Sequence, residues 1–171
     1  EASIFEQVDI AFIAAPQRED PQILSSAMVA KHKKNLPNCI QENDIKGIIH
    51  SHSTWSDGIH SIEQMATAAK AAGYQYLVIS DHSRTAFYAN GLEIERIIAQ
   101  HKEIDQLNKK LAPFVIFKSI ESDILNDGSL DYPDEILASF DLVIASVHAN
   151  LKMTEEKAMT RLLNAISNPY T

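Results

Sequence analysis

From Asp44 onward, short apolar runs alternate with segments whose apolar residues recur at helical spacing, and this alternation narrows the possible folds most. Ile45 to His52, Tyr76 to Ser80, Phe114 to Ile120 and Leu142 to Val147 read as strands. Ser61 opens a helix with Ile62, Met65, Ala66 and Ala69 on one face, closed by Gly73. Glu93 to Leu111 carries a stripe of Ile94, Ile97, Ile98, Ile104, Leu107 and Leu111, and Pro113 ends it. Asn126-Asp127-Gly128 makes a turn, and Pro133 starts a short helix reaching Ser139 or Phe140. Thr154 caps a last helix that turns Ala158, Met159, Leu162, Leu163 and Ile166 inward before Pro169. Strands and helices in strict alternation imply parallel βαβ units with right-handed crossovers, lying in an open sheet or in part of a barrel.

Residues 1–43 lack this rhythm. Asp20-Pro21 reads as an N-cap with Pro at the first helical position, opening a helix to about Lys33 that Asn35 and Pro37 stop. We take residues 1–43 as a helical linker or tail of a preceding domain and residues 44–171 as the chemical unit. The 171 residues, 45% of them hydrophobic, can fill one core. No run is long enough for a membrane span, no signal-peptide pattern is present, and Cys39 is the single cysteine, so a cytoplasmic setting is expected. A net charge of −8 argues against broad electrostatic binding of nucleic acid, although divalent metals would reverse the local sign where a phosphate sits. The basic cluster Lys31-His32-Lys33-Lys34 reads as a solvated helix end.

The chemistry sits where the apolar runs end. His50, His52, Asp57, His82, Glu121 and His148 each fall at or just after a strand end, and rigid convergent strand tips suit metal ligands. On a regular strand, His50 and His52 share a face while Ser51 points away. His82 shares parity with Val78 and Ser80, which leaves Asp81 to orient an imidazole or to cap the turn. Glu121 and Asp123 also share parity, with Glu121 taken as nearer the strand tip, and a carboxylate there can bridge two ions. Arg84, two residues past His82, is a candidate for binding a substrate phosphate or an exposed loop residue. His60 at a helix entrance reads as a cap and His101 as the margin of an apolar stripe. Cys39 lacks a partner, and neither a G-x-S-x-G elbow nor a glycine-rich phosphate loop is present.

Together, His50-Ser51-His52, Trp55-Ser56-Asp57-Gly58, Ser80-Asp81-His82-Ser83, Ile120-Glu121-Ser122-Asp123 and Ser146-Val147-His148 resemble the PHP (polymerase and histidinol phosphatase) superfamily. The resemblance is to the PHP domain at the C-terminus of bacterial and archaeal X-family DNA polymerases. Asp44-Ile45-Lys46-Gly47, Asn90-Gly91-Leu92 and Asp127 to Asp134 support it. It covers residues 44–171; residues 1–40 are more weakly similar to the end of the polymerase portion.

The resemblance implies a distorted seven-stranded, TIM-like (β/α) barrel with up to three divalent metals at the strand C-termini, of which the chain would form the N-terminal part. His50, His52 and Glu121 would bind one metal, Glu121 would bridge to a second held by His148, and Asp57 and His82 would serve a third. Glu121 and Asp81 are the candidate catalytic groups. Three further ligands of the family would lie beyond Thr171. Imidazoles mixed with carboxylates suit Zn, Mn or Fe better than Mg. The implied activity is hydrolysis of phosphodiester bonds at DNA 3′ ends by metal-activated water, as a 3′-5′ exonuclease in DNA repair, with DNA reached through a polymerase parent. A small-molecule phosphatase of the histidinol-phosphatase type and a non-catalytic module bracing a polymerase are the rival readings. An incomplete barrel would also leave an unpaired strand edge, so the isolated chain is expected to self-associate.

Overall fold

The protein, analysed as a computed structural model, is described over residues 2–33, 36 and 39–171. The helix stop expected at Asn35 and Pro37, and Lys34 of the basic cluster, lie outside the described residues. The chain forms two compact units, one up to Ile45 and one from Lys46 onward.

In the first unit α1 (Ala2–Gln7) and α2 (Ile23–Lys33) are accompanied by 3-10 turns at Ala15–Gln17 and Glu42–Asp44. Asp20 does sit at the head of α2, where its Oδ1 accepts the Gln22 N–H at 2.9 Å. The helix is regular only from Ile23, two residues beyond Pro21. Ile13, Ala27 and Ala30 are buried, and Arg18 donates to the Ile13 carbonyl with its guanidinium over the Phe5 and Phe12 rings.

The second unit runs β1 (Gly47–Ser51), α3 (Ile62–Ala71), β2 (Tyr76–His82), α4 (Ile94–Leu111), β3 (Val115–Asp123), α5 (Asp134–Leu137), β4 (Leu142–Ser146) and α6 (Glu155–Ile166). All strands pair in parallel in the order β1-β2-β3-β4. An open doubly wound sheet reverses its strand order part-way across, whereas a barrel keeps chain order. This sheet keeps chain order and curls into a half-barrel.

Strand alternation divides the residues of β2 and β3 between two faces. Leu77 and Ile79 of β2 and Ile116 of β3 pack with Ile62, Ala66 and Ala69 of α3 and Ile104, Leu107 and Leu111 of α4. Ile120 joins Leu92, Ile97, Leu137, Val143 and Ala165 in a second cluster. The opposite parity carries Ser80, His82, Ser119, Glu121 and Asp123, and the Ser80 and Ser119 hydroxyls meet at 3.1 Å. The helix-facing side of the sheet therefore makes the core, while the other side is polar towards the strand ends, above Tyr76, Val78, Val115 and Phe117.

The helix boundaries follow local signals. Ser61 caps α3 reciprocally: its hydroxyl accepts the Gln64 N–H at 3.2 Å, and Gln64 Oε1 accepts the Ser61 N–H at 3.0 Å. Gly73, at φ +89°, takes the left-handed conformation that ends the helix. β2 and β3 run further than expected, to His82 and Asp123, so Asp123 rather than Glu121 is nearer the tip of β3. In α4, Gln100 is fully buried while Ile98 is 48% exposed.

The last helix departs most from its hydrophobic pattern. Met159, Leu162, Leu163 and Ile166, expected inward, are exposed, whereas Arg161 and Ala165 are buried. Hydrogen bonding sets this rotation. Arg161 donates to the main-chain carbonyls of Leu125 (2.9 Å), Ala149 (3.0 Å) and Ile124, which lie just beyond β3 and β4. A guanidinium buried without those partners would cost about 3–5 kcal/mol, more than leaving one leucine in water. Arg161→Ala should therefore lower unfolding free energy by about 2–4 kcal/mol in urea denaturation, against about 0.5 kcal/mol or less for Leu163→Ala. Equal losses would show that the leucine face is the docked one.

Candidate metal centre

His50 and His52 converge by way of a bulge in β1, not by simple alternation. Between Ile48 and Ser51 the pairing of β1 with β2 slips, and His50 takes φ +68°, a left-handed conformation costly for a residue with a Cβ. His52 lies one residue past the strand. Their rings stack at 5.3 Å between centroids. Gly58 closes the following turn, donating its N–H to the Ser53 carbonyl at 2.9 Å. A Cβ at Gly58 would lie 2.2 Å from the His52 carbonyl oxygen, so only glycine allows this approach.

Glu121 stands at the middle of the site. Its Oε2 is 3.3 Å from His50 Nε2, 3.3 Å from His52 Nε2 and 3.2 Å from His82 Nδ1, and its Oε1 is 3.2 Å from His148 Nε2. Asp57 completes the set, with Oδ1 3.0 Å from His52 Nδ1 and Oδ2 3.7 Å from His82 Nε2. The side chains fall into three overlapping triads, each with ligand atoms within 4.8 Å of one another: His50, His52 and Glu121; His52, Asp57 and His82; and His82, Glu121 and His148. All six residues singled out from the sequence are thus brought together. His52 and His82 each belong to two triads, a sharing that the family pattern alone did not specify.

The donor set fits transition metals. Two ligands about 2.0–2.1 Å from a tetrahedral ion stand roughly 3.4 Å apart, close to the separations around Glu121. His82 Nδ1 is buried without a hydrogen-bond partner although Glu121 Oε2 is near, as expected of two lone pairs aimed at a common third point. Burial, then the neighbouring His52, push the His82 imidazole below its ordinary pKa against the pull of Glu121 and Asp57, which favours the neutral ring that metals require. Burial alone would raise the Glu121 carboxyl, but the hydrogen bond from His50 and the nearby His50, His148 and His82 outweigh it and hold the carboxyl below its usual range. Asp57 is lowered in the same way: burial opposes, and the His52 hydrogen bond with the charges of His82 and His52 prevails.

Asp81 lies elsewhere. Expected among the catalytic groups, it is fully buried with the opposite parity to His82. Its carboxylate accepts from Ser53 N–H (2.7 Å), Ser53 Oγ (2.7 Å), Ser56 Oγ (2.5 Å) and Gln100 Nε2 (2.6 Å). Among the described residues these partners include no imidazole. Asp81 ties the turn carrying Asp57 to β2 and α4, which is the turn-capping alternative. Arg84 is also tethered: its Nε donates to Asp131 Oδ1 at 3.2 Å, its guanidinium lies 5.7 Å from the Tyr132 ring centroid, and its side chain stays 40% exposed.

Asp123 is the polar group that sequence reasoning undervalued. Its Oδ1 meets His148 Nδ1 at 2.5 Å, and its Oδ2 accepts from Thr85 Oγ1 at 2.6 Å. The shared parity with Glu121 was the available signal. Thr85 and Asp123 also line a cleft of about 540 Å³ with Asn126, Asp127, Asn150 and Arg161. His60 is exposed and the helix cap beside it is Ser61, while His101 packs edge-on to Phe140 away from the triads.

Asp81→Asn keeps the shape of the side chain but turns one acceptor into a donor facing donors. It should cost about 1–3 kcal/mol of stability in urea denaturation of the metal-free protein. A loss under about 0.5 kcal/mol would mean that the turn is held by other contacts.

No protein-family model matches the chain. It is 45% identical over 150 residues to the DNA polymerase/3'-5' exonuclease PolX of Bacillus subtilis, covering 88% of this chain and 26% of that protein. A protein of Acetivibrio thermocellus named "Probable phosphatase" is 30% identical over 128 residues, and one so designated in Caldanaerobacter subterraneus is 30% identical over 132 residues. Each alignment covers 71% of this chain, and 49% and 47% of those two proteins. The chain therefore spans about a quarter of the polymerase and about half of the phosphatases. With its motifs meeting at the strand ends of a parallel half-barrel, and with relatives of both kinds, the chain belongs to the PHP superfamily of phosphoesterases.

Proposed function

We propose that the chain is the phosphoesterase portion of an X-family DNA polymerase and that its site removes nucleotides from DNA 3′ ends in repair. The observation that carries the metal-dependent part is Glu121, whose two oxygens lie within 3.3 Å of four imidazole nitrogens. The similarity to PolX supports the polymerase setting and the 3′-end substrate.

Divalent metals of the Zn, Mn or Fe class, held by His50, His52, Asp57, His82, Glu121 and His148, would acidify water and offset charge on the phosphoryl oxygens. The chain's own groups prepare for this. Glu121 is held ionised and spans two triads, so it fixes their spacing. Burial and the neighbouring His52 favour the neutral form of His82 against the pull of Glu121 and Asp57. Asp123 accepts from His148 Nδ1, which fixes the ring with Nε2 towards Glu121. Arg84, anchored through Nε on buried Asp131, directs a partly exposed guanidinium for a substrate phosphate. Asp81 takes the role of a positioning residue that holds the turn of Asp57.

A 3′-end-labelled, 3′-recessed oligonucleotide assayed beside a small phosphate monoester tests this reading. Mononucleotide release that needs Mn or Zn, stops with EDTA and outpaces monoester cleavage is expected. Faster monoester cleavage would favour the small-molecule phosphatase, and metal-independent release would contradict the role of the triads. Asp123→Ala should weaken the metal held by His82, Glu121 and His148 about 10- to 100-fold in titration calorimetry. The metal held by His50, His52 and Glu121 should be little changed. Equal weakening of both would show that Asp123 supports the site as a whole.

A further inference from the structure

We infer that Phe87 and Tyr88 form a stacking platform for the base of the nucleotide whose phosphate sits on the triads, an inference that rests on the DNA 3′-end reading above. Phe87 is 85% exposed and Tyr88 66% exposed, although both sit on a tightly held loop. Ala86, Ala89 and Leu92 around them are buried. Leu92 N–H donates to the His82 carbonyl at 2.9 Å, and Ala86 N–H to the Ser83 carbonyl at 3.0 Å. Thr85 N–H donates to Asp131 Oδ2 at 2.7 Å, and Arg96 grips the Asn90 and Gly91 carbonyls at 2.8 and 3.2 Å. Asn90, at φ +55°, closes the turn. The rings are thus presented to solvent by a fixed main chain.

Their position gives the platform a ligand. The Tyr88 ring lies 6.3 Å from that of His82, which belongs to two of the triads, and the Phe87 ring lies 6.2 Å from Tyr88, nearly at right angles. A phosphate on the triads puts its own nucleoside at this rim. With a net charge of −8 the chain has little cationic field to hold a nucleic-acid backbone. Stacking on aromatic rings supplies affinity without positive charge, and it tolerates any sequence because every base has a π face. That suits an activity that meets all four bases in turn.

The test compares kcat/KM, with Mn, for an oligonucleotide ending in a normal base and one ending in an abasic nucleotide, which keeps the phosphate contacts. Phe87→Ala combined with Tyr88→Ala should lower the ratio of the two about 10-fold, through KM for the base-bearing strand. Tyr88→Phe should keep the ratio. Binding is read separately from turnover with a 3′-terminal 2-aminopurine behind a phosphorothioate linkage. Its fluorescence should be quenched by the unaltered protein and by Tyr88→Phe, and not by the double alanine variant. An unmoved ratio or unchanged quenching in the double variant overturns the platform while leaving the exonuclease reading intact. Failure of the unaltered protein to cleave either strand overturns both.

Discussion

One buried carboxylate facing four imidazoles is the constraint around which the second unit is arranged. Glu121 is only 6% exposed, yet its oxygens have nitrogen lone pairs or N–H groups of His50, His52, His82 and His148 within 3.3 Å. Donor atoms packed this closely repel one another unless protons or cations lie between them. The surrounding fold opposes that repulsion mechanically. Asp81 anchors the turn behind Asp57, the bulge at His50 bends β1 towards the site, and Asp123 holds His148 from behind. Two of these devices use a strand end or a bulge, while Asp81 reaches through the helix-facing side of the sheet to buried Gln100 of α4.

The division of the sheet into two faces explains how one sequence serves both tasks. Residues 77, 79 and 116 fill the core, while 82, 119, 121 and 123 carry polar chemistry on the opposite parity. Because β2 and β3 pair in register from Tyr76↔Val115 to His82↔Glu121, a ligand on one strand has its neighbour on the next at the same height. A shift of one residue in β3 would turn Glu121 and Asp123 towards the helices. The register is therefore a functional constraint as well as a packing one.

Much of this was legible in the sequence because the relevant signals are local. Apolar runs located the four strands, Ser61 and Thr154 marked helix starts, and Gly73 marked a helix end. The parity of Val78, Ser80 and His82 correctly turned His82 to one side and Asp81 to the other. What could not be read depends on contacts between distant segments. The bulge at His50 follows from pairing with β2. The four donors to Asp81 come from Ser53, Ser56 and Gln100, 19 to 28 residues away. Helix α6 was misjudged because hydrophobic periodicity registers leucines and says nothing of an arginine that caps three carbonyls. Likewise the partnership of Asp123 with His148 spans 25 residues and two strands.

Metal ions in the space between these side chains would balance the repulsion among their donor atoms. Diffraction from crystals grown with Mn or Zn, with data collected on both sides of the metal's absorption edge, examines that directly. We expect anomalous peaks within about 2.0–2.2 Å of ligand atoms of His50, His52 and Glu121, and of His82, Glu121 and His148, so that Glu121 is shared between two ions. Ordered imidazoles at the present separations with no anomalous density among them, at saturating metal, would contradict the central claim and leave the cluster a hydrogen-bonded structural element.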